Sequence, residues 1–112
     1  MKAIVYARSA KRQTKKRKPI EEQVKACSRY ARENDLQVSK VYTDAGYSGA
    51  NLSRPGLTKM REVIARTQIG VVIVHDLCRL TRSFRDKLIL DDEFARHGTR
   101  ICIAHKKGTV QR

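Results

Sequence analysis

Four arginines stand out by position. Arg8 follows directly on the apolar run AIVYA at 3–7, Arg54 stands immediately before a proline, and Arg79 and Arg82 lie three apart just beyond VVIVH at 71–75. A guanidinium is a planar fork of donors that matches two phosphate oxygens at once, and it stabilises charge that builds on them in a reaction. Several such forks around one hydroxyl would make a site for a phosphodiester. Two hydroxyls fall in range: Ser9, beside Arg8, and Ser48, inside the polar stretch TDAGYSGANLSRPG at 43–56. Asp44 and Gln23 are further polar candidates. Asp44 equally suits a carboxylate bonding backbone N–H groups in a turn, and Gln23 equally suits ordinary helix surface. The run KRQTKKRK at 11–18, which includes Lys11, Arg12, Lys15, Lys16 and Arg17, carries cations too crowded to pack. It suits a solvated loop making non-specific contacts with nucleic-acid phosphates, which would make binding strongly dependent on salt.

These side chains can act together only if the fold gathers them. AIVYA reads as a buried strand. Pro19 suits the first turn of a helix, with Glu21 and Glu22 well placed for its dipole. Ile20, Val24, Cys27 and Ala31 form one apolar stripe running to about Asn34. Residues 36–42 alternate as a second strand, 43–56 read as a long loop, and Pro55 opens a second helix with Leu57, Met60 and Ile64 on its inner face. VVIVH is a β-branched run of the kind buried on both faces of a parallel sheet. A third helix is predicted over about 83–97, with Phe84, Leu88 and Phe94 as buried candidates, and residues 100–104 give a fourth strand. The succession predicts an α/β fold: a mainly parallel, four- to five-stranded sheet with helices on both faces. Ligands of such sheets bind beyond the carboxyl ends of the strands. Arg8 and Ser9, the stretch from Asp44 to Arg54, and the stretch from Asp76 to Arg82 all follow strands, so one edge should collect them.

Composition agrees with a polyanionic partner. The 112 residues suit one small domain, and 25 Lys+Arg against 11 Asp+Glu give a net charge of +14. Nucleic acid is the expected partner. A membrane surface is disfavoured, because no basic amphipathic helix is visible and no apolar stretch approaches the roughly 18 residues that cross a bilayer. MKAIVYAR lacks the core of a signal peptide, so a cytoplasmic protein is expected. Cys27, Cys78 and Cys102 are dispersed, with no CxxC pair and no histidine at metal spacing. Neither a metal site nor a cofactor is expected: there is no phosphate-binding glycine pattern and no carboxylate cluster for magnesium.

Taken together, YAR at 6–8, Gln23, YTDAGYSG at 42–49, RPGL at 54–57 and RLTR at 79–82 occur in the order and spacing of a known family. The chain resembles the N-terminal catalytic domain of serine recombinases, the resolvase/invertase family, and most of all its longer integrase-type members. The resemblance implies a resolvase-like catalytic domain spanning 1–112, without the family's dimerisation helix and separate DNA-binding domain. Weak self-association is therefore expected. It implies site-specific DNA cleavage and rejoining through a phosphoserine–DNA intermediate, with no cofactor, in a prokaryotic, phage or mobile-element setting. Arg8, Arg54, Arg79 and Arg82 fall on the family's active-site arginines, and Gln23 and Asp44 on polar positions of the same site. One departure concerns the nucleophile. The family's serine lies two residues after the first arginine, where this chain has Ala10, and Ser9 is one residue early. A second is Cys78, which replaces the acidic residue before the first arginine of RLTR. Two readings stay open: a recombinase that uses Ser9, and a cleavage-dead relative that binds DNA or a complete recombinase.

Overall fold

The structure, a computed structural model, describes residues 1–10, 19–104 and 110–111. The phosphate contacts expected of Lys11, Arg12, Lys15, Lys16 and Arg17 lie outside the described residues. In chain order the elements are β1 (Lys2–Ser9), α1 (Ile20–Glu33), β2 (Gln37–Ala45), α2 (Pro55–Arg66), β3 (Val71–Val74), α3 (Leu77–Leu80), α4 (Phe84–Arg96), β4 (Arg100–Ile103) and β5 (Val110–Gln111). The strands form one sheet in the order β2-β1-β3-β4-β5. The first four are parallel, as expected, and β5 adds antiparallel to β4.

Alternation along β1 divides the core into two layers. Ile4 and Tyr6 face α2 and α4, packing with Leu57, Met60, Ile64, Leu90 and Phe94. Ala3 and Val5 face α1, packing with Cys27, Tyr30 and Ala31. This is the arrangement of helices on both faces that the pattern predicts, because a strand buried on both sides must be apolar at every position. Among the described residues no helix is long and apolar enough to cross a membrane.

Two expectations need correction, and one element was not foreseen. Thr43 to Ala45 are strand rather than loop, since β2 stays paired with β1 as far as Ser9↔Ala45. Phe84 and Leu88 are not buried: Phe84 is 76% exposed, while Leu90 and Phe94 carry the inner face of α4. Phe84 and Leu88 lie four apart on one side of α4, and Leu90 and Phe94 lie four apart on the other, about 200° round the helix from Leu88, so the first pair faces solvent. The short α3, which periodicity cannot reveal, sits between β3 and α4 and carries Arg79.

Candidate functional site

The site is built where β1 runs out of neighbours. β1 pairs with β3 only as far as Val5↔Ile73, but with β2 as far as Ser9↔Ala45. The peptide groups of Arg8 that would face β3 therefore lack a strand. Gln23 of α1 replaces it: its Nε2 donates to Arg8 O at 3.0 Å, and its Oε1 accepts from Arg8 N–H at 3.2 Å. Buried peptide groups left unpaired are costly, so this fully buried amide acts as a one-residue strand. The Gln23 amide is committed to the backbone rather than turned to the open site.

Arg8 is 1% exposed. Its guanidinium donates to the carbonyl oxygens of Tyr47 at 2.7 Å, Cys78 at 2.7 Å and Arg79 at 3.1 Å. It thereby ties the segments after β2 and β3 to the end of β1. Burial lowers its pKa from the ordinary arginine value, and the nearby Arg54 charge lowers it further.

Arg54 is sealed deeper. It donates to Asn51 O, Leu80 O and, at 3.0 Å, to the Tyr6 hydroxyl. Tyr6 in turn donates to Asp44 Oδ2 at 2.7 Å. The Asp44 carboxylate also accepts from Gly56 N–H at 2.7 Å and Leu57 N–H at 2.9 Å, the first free donors of α2. Burial pushes the Tyr6 phenol well above its usual pKa. Arg54, Tyr6 and Asp44 thus form a closed frame between β1, β2 and α2, and Asp44 does not offer its oxygens to the open site. Gly56 is needed there, since a Cβ would meet Thr43 O at 2.5 Å.

Above this frame lies an open pocket of about 380 Å³, lined by Arg8, Asp76, Cys78, Arg79 and Arg82. Arg79 Nε stands 3.6 Å from Asp76 Oδ2 and is buried without a hydrogen-bond partner among the described residues. Arg82 is exposed and is held by its backbone, whose N–H donates to Gly49 O at 2.8 Å. The pocket therefore gathers three guanidinium groups against one carboxylate, and that carboxylate is also 3.0 Å from His75 Nδ1. Its chemistry favours an oxyanion with two free oxygens.

The two hydroxyls are not in this pocket. Ser9 is 5% exposed, its Oγ accepting from Gly46 N–H at 3.4 Å. By strand alternation it belongs to the α1 side with Ala3 and Val5, whereas Arg8 belongs to the α2 side with Ile4 and Tyr6. Ser48 is exposed and accepts from Ala50 N–H at 3.0 Å, a local turn. Sequence reasoning overlooked the Tyr6 link between Arg54 and Asp44. The signal for it was a phenol inside an apolar strand, two residues before Arg8 and so on the same face.

The chain is similar to known proteins over most of its length. The family described as "Resolvase, N terminal domain" matches residues 3–111. A Bacillus subtilis (strain 168) protein named "Putative DNA recombinase" is 38% identical over 93 residues, covering 83% of this chain and 18% of that protein. The chain thus spans under a fifth of that curated relative. The N-terminal catalytic domain of TP901-1 integrase superposes with a TM-score of 0.84 at 33% identity, covering 96% of this chain and 79% of that one. The C-terminal catalytic domain of ISC1926 TnpA, an IS607-like serine recombinase, gives 0.80 at 26% identity, covering 93% and 70%.

Proposed function

Because the chain belongs to the resolvase family, matching its N-terminal domain, we propose that this site-specific recombination domain grips one DNA phosphodiester with Arg79 and Arg82 above a floor set by Arg8. The observation that carries the reading is the pocket itself. Arg79 Nε is a buried donor with no hydrogen-bond partner among the described residues, in a pocket where guanidinium groups outnumber carboxylates. A phosphate oxygen that draws this side chain towards the pocket supplies the missing acceptor. Arg82, on the open rim, takes the other oxygen. Arg8, Arg54, Gln23 and Asp44 act as positioning residues that hold the rim.

We read the chain as a domain that binds DNA without cutting it, with DNA and a complete recombinase as its partners. Cleavage in the family's manner needs a hydroxyl to attack phosphorus, lose its proton and expel the 3′ oxygen of the broken strand. Ala10 offers none, and the Ser9 hydroxyl lies on the opposite face from the Arg8 guanidinium. A second reading assigns cleavage to Ser9. In its favour, Ser9 is the last residue of β1 and its Oγ contact is long, so a turn of one peptide plane after Arg8 would free it.

Fluorescence anisotropy of a labelled duplex across a salt series tests the grip. Arg82→Gln is expected to weaken binding about tenfold and to reduce the log–log salt slope by about 0.9, the share of one neutralised phosphate. Ser48→Ala should leave both unchanged. A wild-type slope in both Arg82→Gln and Arg79→Gln would remove phosphate from this pocket.

A further inference from the structure

A second hollow lies on the other side of Tyr47. β2 is the edge strand of the sheet, and between it and α2 runs a groove of about 430 Å³. Lys40, Tyr42, Tyr47 and Lys59 line it, and Tyr47, Pro55 and Lys59 continue into a neighbouring hollow. Lys40 Nζ lies 6.0 Å from the centroid of the Tyr42 ring, and neither Lys40 nor Lys59 makes an ion pair among the described residues. Asp44 forms part of the wall, but its carboxylate is buried and already accepts three hydrogen bonds. Glu62 does not line this groove, though it does line the neighbouring hollow. The Lys40–Lys59 end is therefore an electropositive slot with an aromatic wall.

Tyr47 joins this groove to the arginine pocket. Its carbonyl accepts from Arg8 Nη1 at 2.7 Å, its N–H donates to Ser9 O at 3.0 Å, and the residue is 38% exposed. A partly exposed phenol ring beside free cations is the pairing by which proteins hold unpaired nucleotides: the base stacks on the ring and the phosphate meets the cations. A duplex would present only its backbone to such a slot and leave the ring unused. We propose that this groove binds a single unpaired nucleotide next to the phosphodiester held by Arg79 and Arg82, its base on Tyr47 and its phosphate at Lys40 and Lys59. The inference extends the reading of the arginine pocket, but its residues are separate and so is its test.

The probe is a short oligothymidylate carrying one 2-aminopurine, whose fluorescence is quenched by stacking, titrated with the full chain. A matching duplex is titrated in parallel. Tyr47→Leu is expected to abolish the quench and weaken single-strand binding about tenfold, while duplex binding stays within twofold. Tyr47→Phe should restore the quench, which separates stacking from a merely structural role. Lys40→Gln with Lys59→Gln should lower the single-strand salt slope by about 0.7 for the one phosphate. Wild-type quench and slope in these variants, with Arg82→Gln still weakening duplex binding, would overturn the groove and leave the arginine pocket standing. Loss of duplex binding in neither set would overturn the arginine pocket instead. Equal displacement of the oligonucleotide by a glutamate-rich peptide, sensitive to Tyr47→Leu, would assign the groove to an acidic protein partner and contradict the proposal.

Discussion

Asp44→Asn is the sharpest test of the frame beneath the arginines. The carboxylate accepts from Gly56 N–H on Oδ1 and from both Leu57 N–H and the Tyr6 hydroxyl on Oδ2. An asparagine has one acceptor oxygen. If that oxygen takes the Oδ2 position, its NH2 faces the Gly56 N–H at 2.7 Å, donor against donor. The reverse orientation loses both the Leu57 bond and the acceptor of the Tyr6 hydroxyl. Either way at least one charge-assisted bond disappears, one buried helix N–H is left unpaired, and the remaining bonds weaken with the loss of charge. Bonds to charged groups contribute about 1.5–3 kcal/mol, and a lost helix cap costs about 0.5–2 kcal/mol. The expected loss is about 3 kcal/mol, a fall in Tm of roughly 12 °C for a domain of this size. Urea unfolding followed by circular dichroism, with an unchanged m-value, measures it directly. Tyr6→Phe should lose about half as much, because it spares the α2 cap. A loss below about 1 kcal/mol for Asp44→Asn would refute the claim that one carboxylate secures both the helix and the Tyr6–Arg54 link.

Three more predictions follow from single contacts. Gly56→Ala should destabilise by about 2–3 kcal/mol, since its Cβ would meet backbone at 2.5 Å, whereas Gly46→Ala meets nothing within 4 Å and should cost only the strain of its positive φ, about 1–2 kcal/mol. Calorimetry of the pair tests the order. Arg61 grips Glu93 in bidentate fashion at 2.6 and 2.9 Å, and this bond holds the Glu93 carboxyl below its usual range. A depressed carboxylate stabilises above the unfolded pKa and loses that contribution as pH falls through the folded one. Glu93→Gln should therefore be less stable than wild type by about 1 kcal/mol at pH 7, the two converging below the ordinary glutamate range in acid unfolding curves. Burial pushes the Cys27 thiol up to about 12 and raises Cys102 as well, while Cys78 is exposed. Mass spectrometry after brief iodoacetamide treatment should find label on Cys78 alone, and on all three thiols only after unfolding.

The sheet was readable because its inner strands are apolar at every position, and VVIV and AIVYA need no context to be recognised. The end of β2 was not, because Asp44, Gly46 and Ser48 give the stretch after Tyr42 a turn-forming composition, while Thr43 to Ala45 are held in strand geometry by pairing with β1, a contact across more than thirty residues of chain. The arginines were legible as a set through their places after strands. Their division of labour was not: Arg54 and Arg82 look alike in sequence, but one is closed in by carbonyls and a phenol while the other faces solvent. The burial of Gln23 is hidden for a related reason. A helix position reads as polar surface unless it is known that a neighbouring strand ends early and leaves peptide groups to satisfy. Phe84 and Leu88 show the opposite case: apolar residues at helical spacing on the face of α4 that turns away from Leu90 and Phe94.

The central claim is that the arginine pocket is ready for a DNA phosphate while the hydroxyl needed for cleavage is missing from it. A covalent-adduct assay tests this most directly. The domain, fused to a heterologous DNA-binding module, is incubated with supercoiled DNA bearing that module's site, quenched in detergent and scored for protein linked to 5′ ends. The account predicts no adduct from the chain as it stands or from Ser9→Ala, and an adduct from Ala10→Ser, which returns a hydroxyl to the face of Arg8. An adduct from the unaltered chain that vanishes in Ser9→Ala would contradict it and make Ser9 the nucleophile.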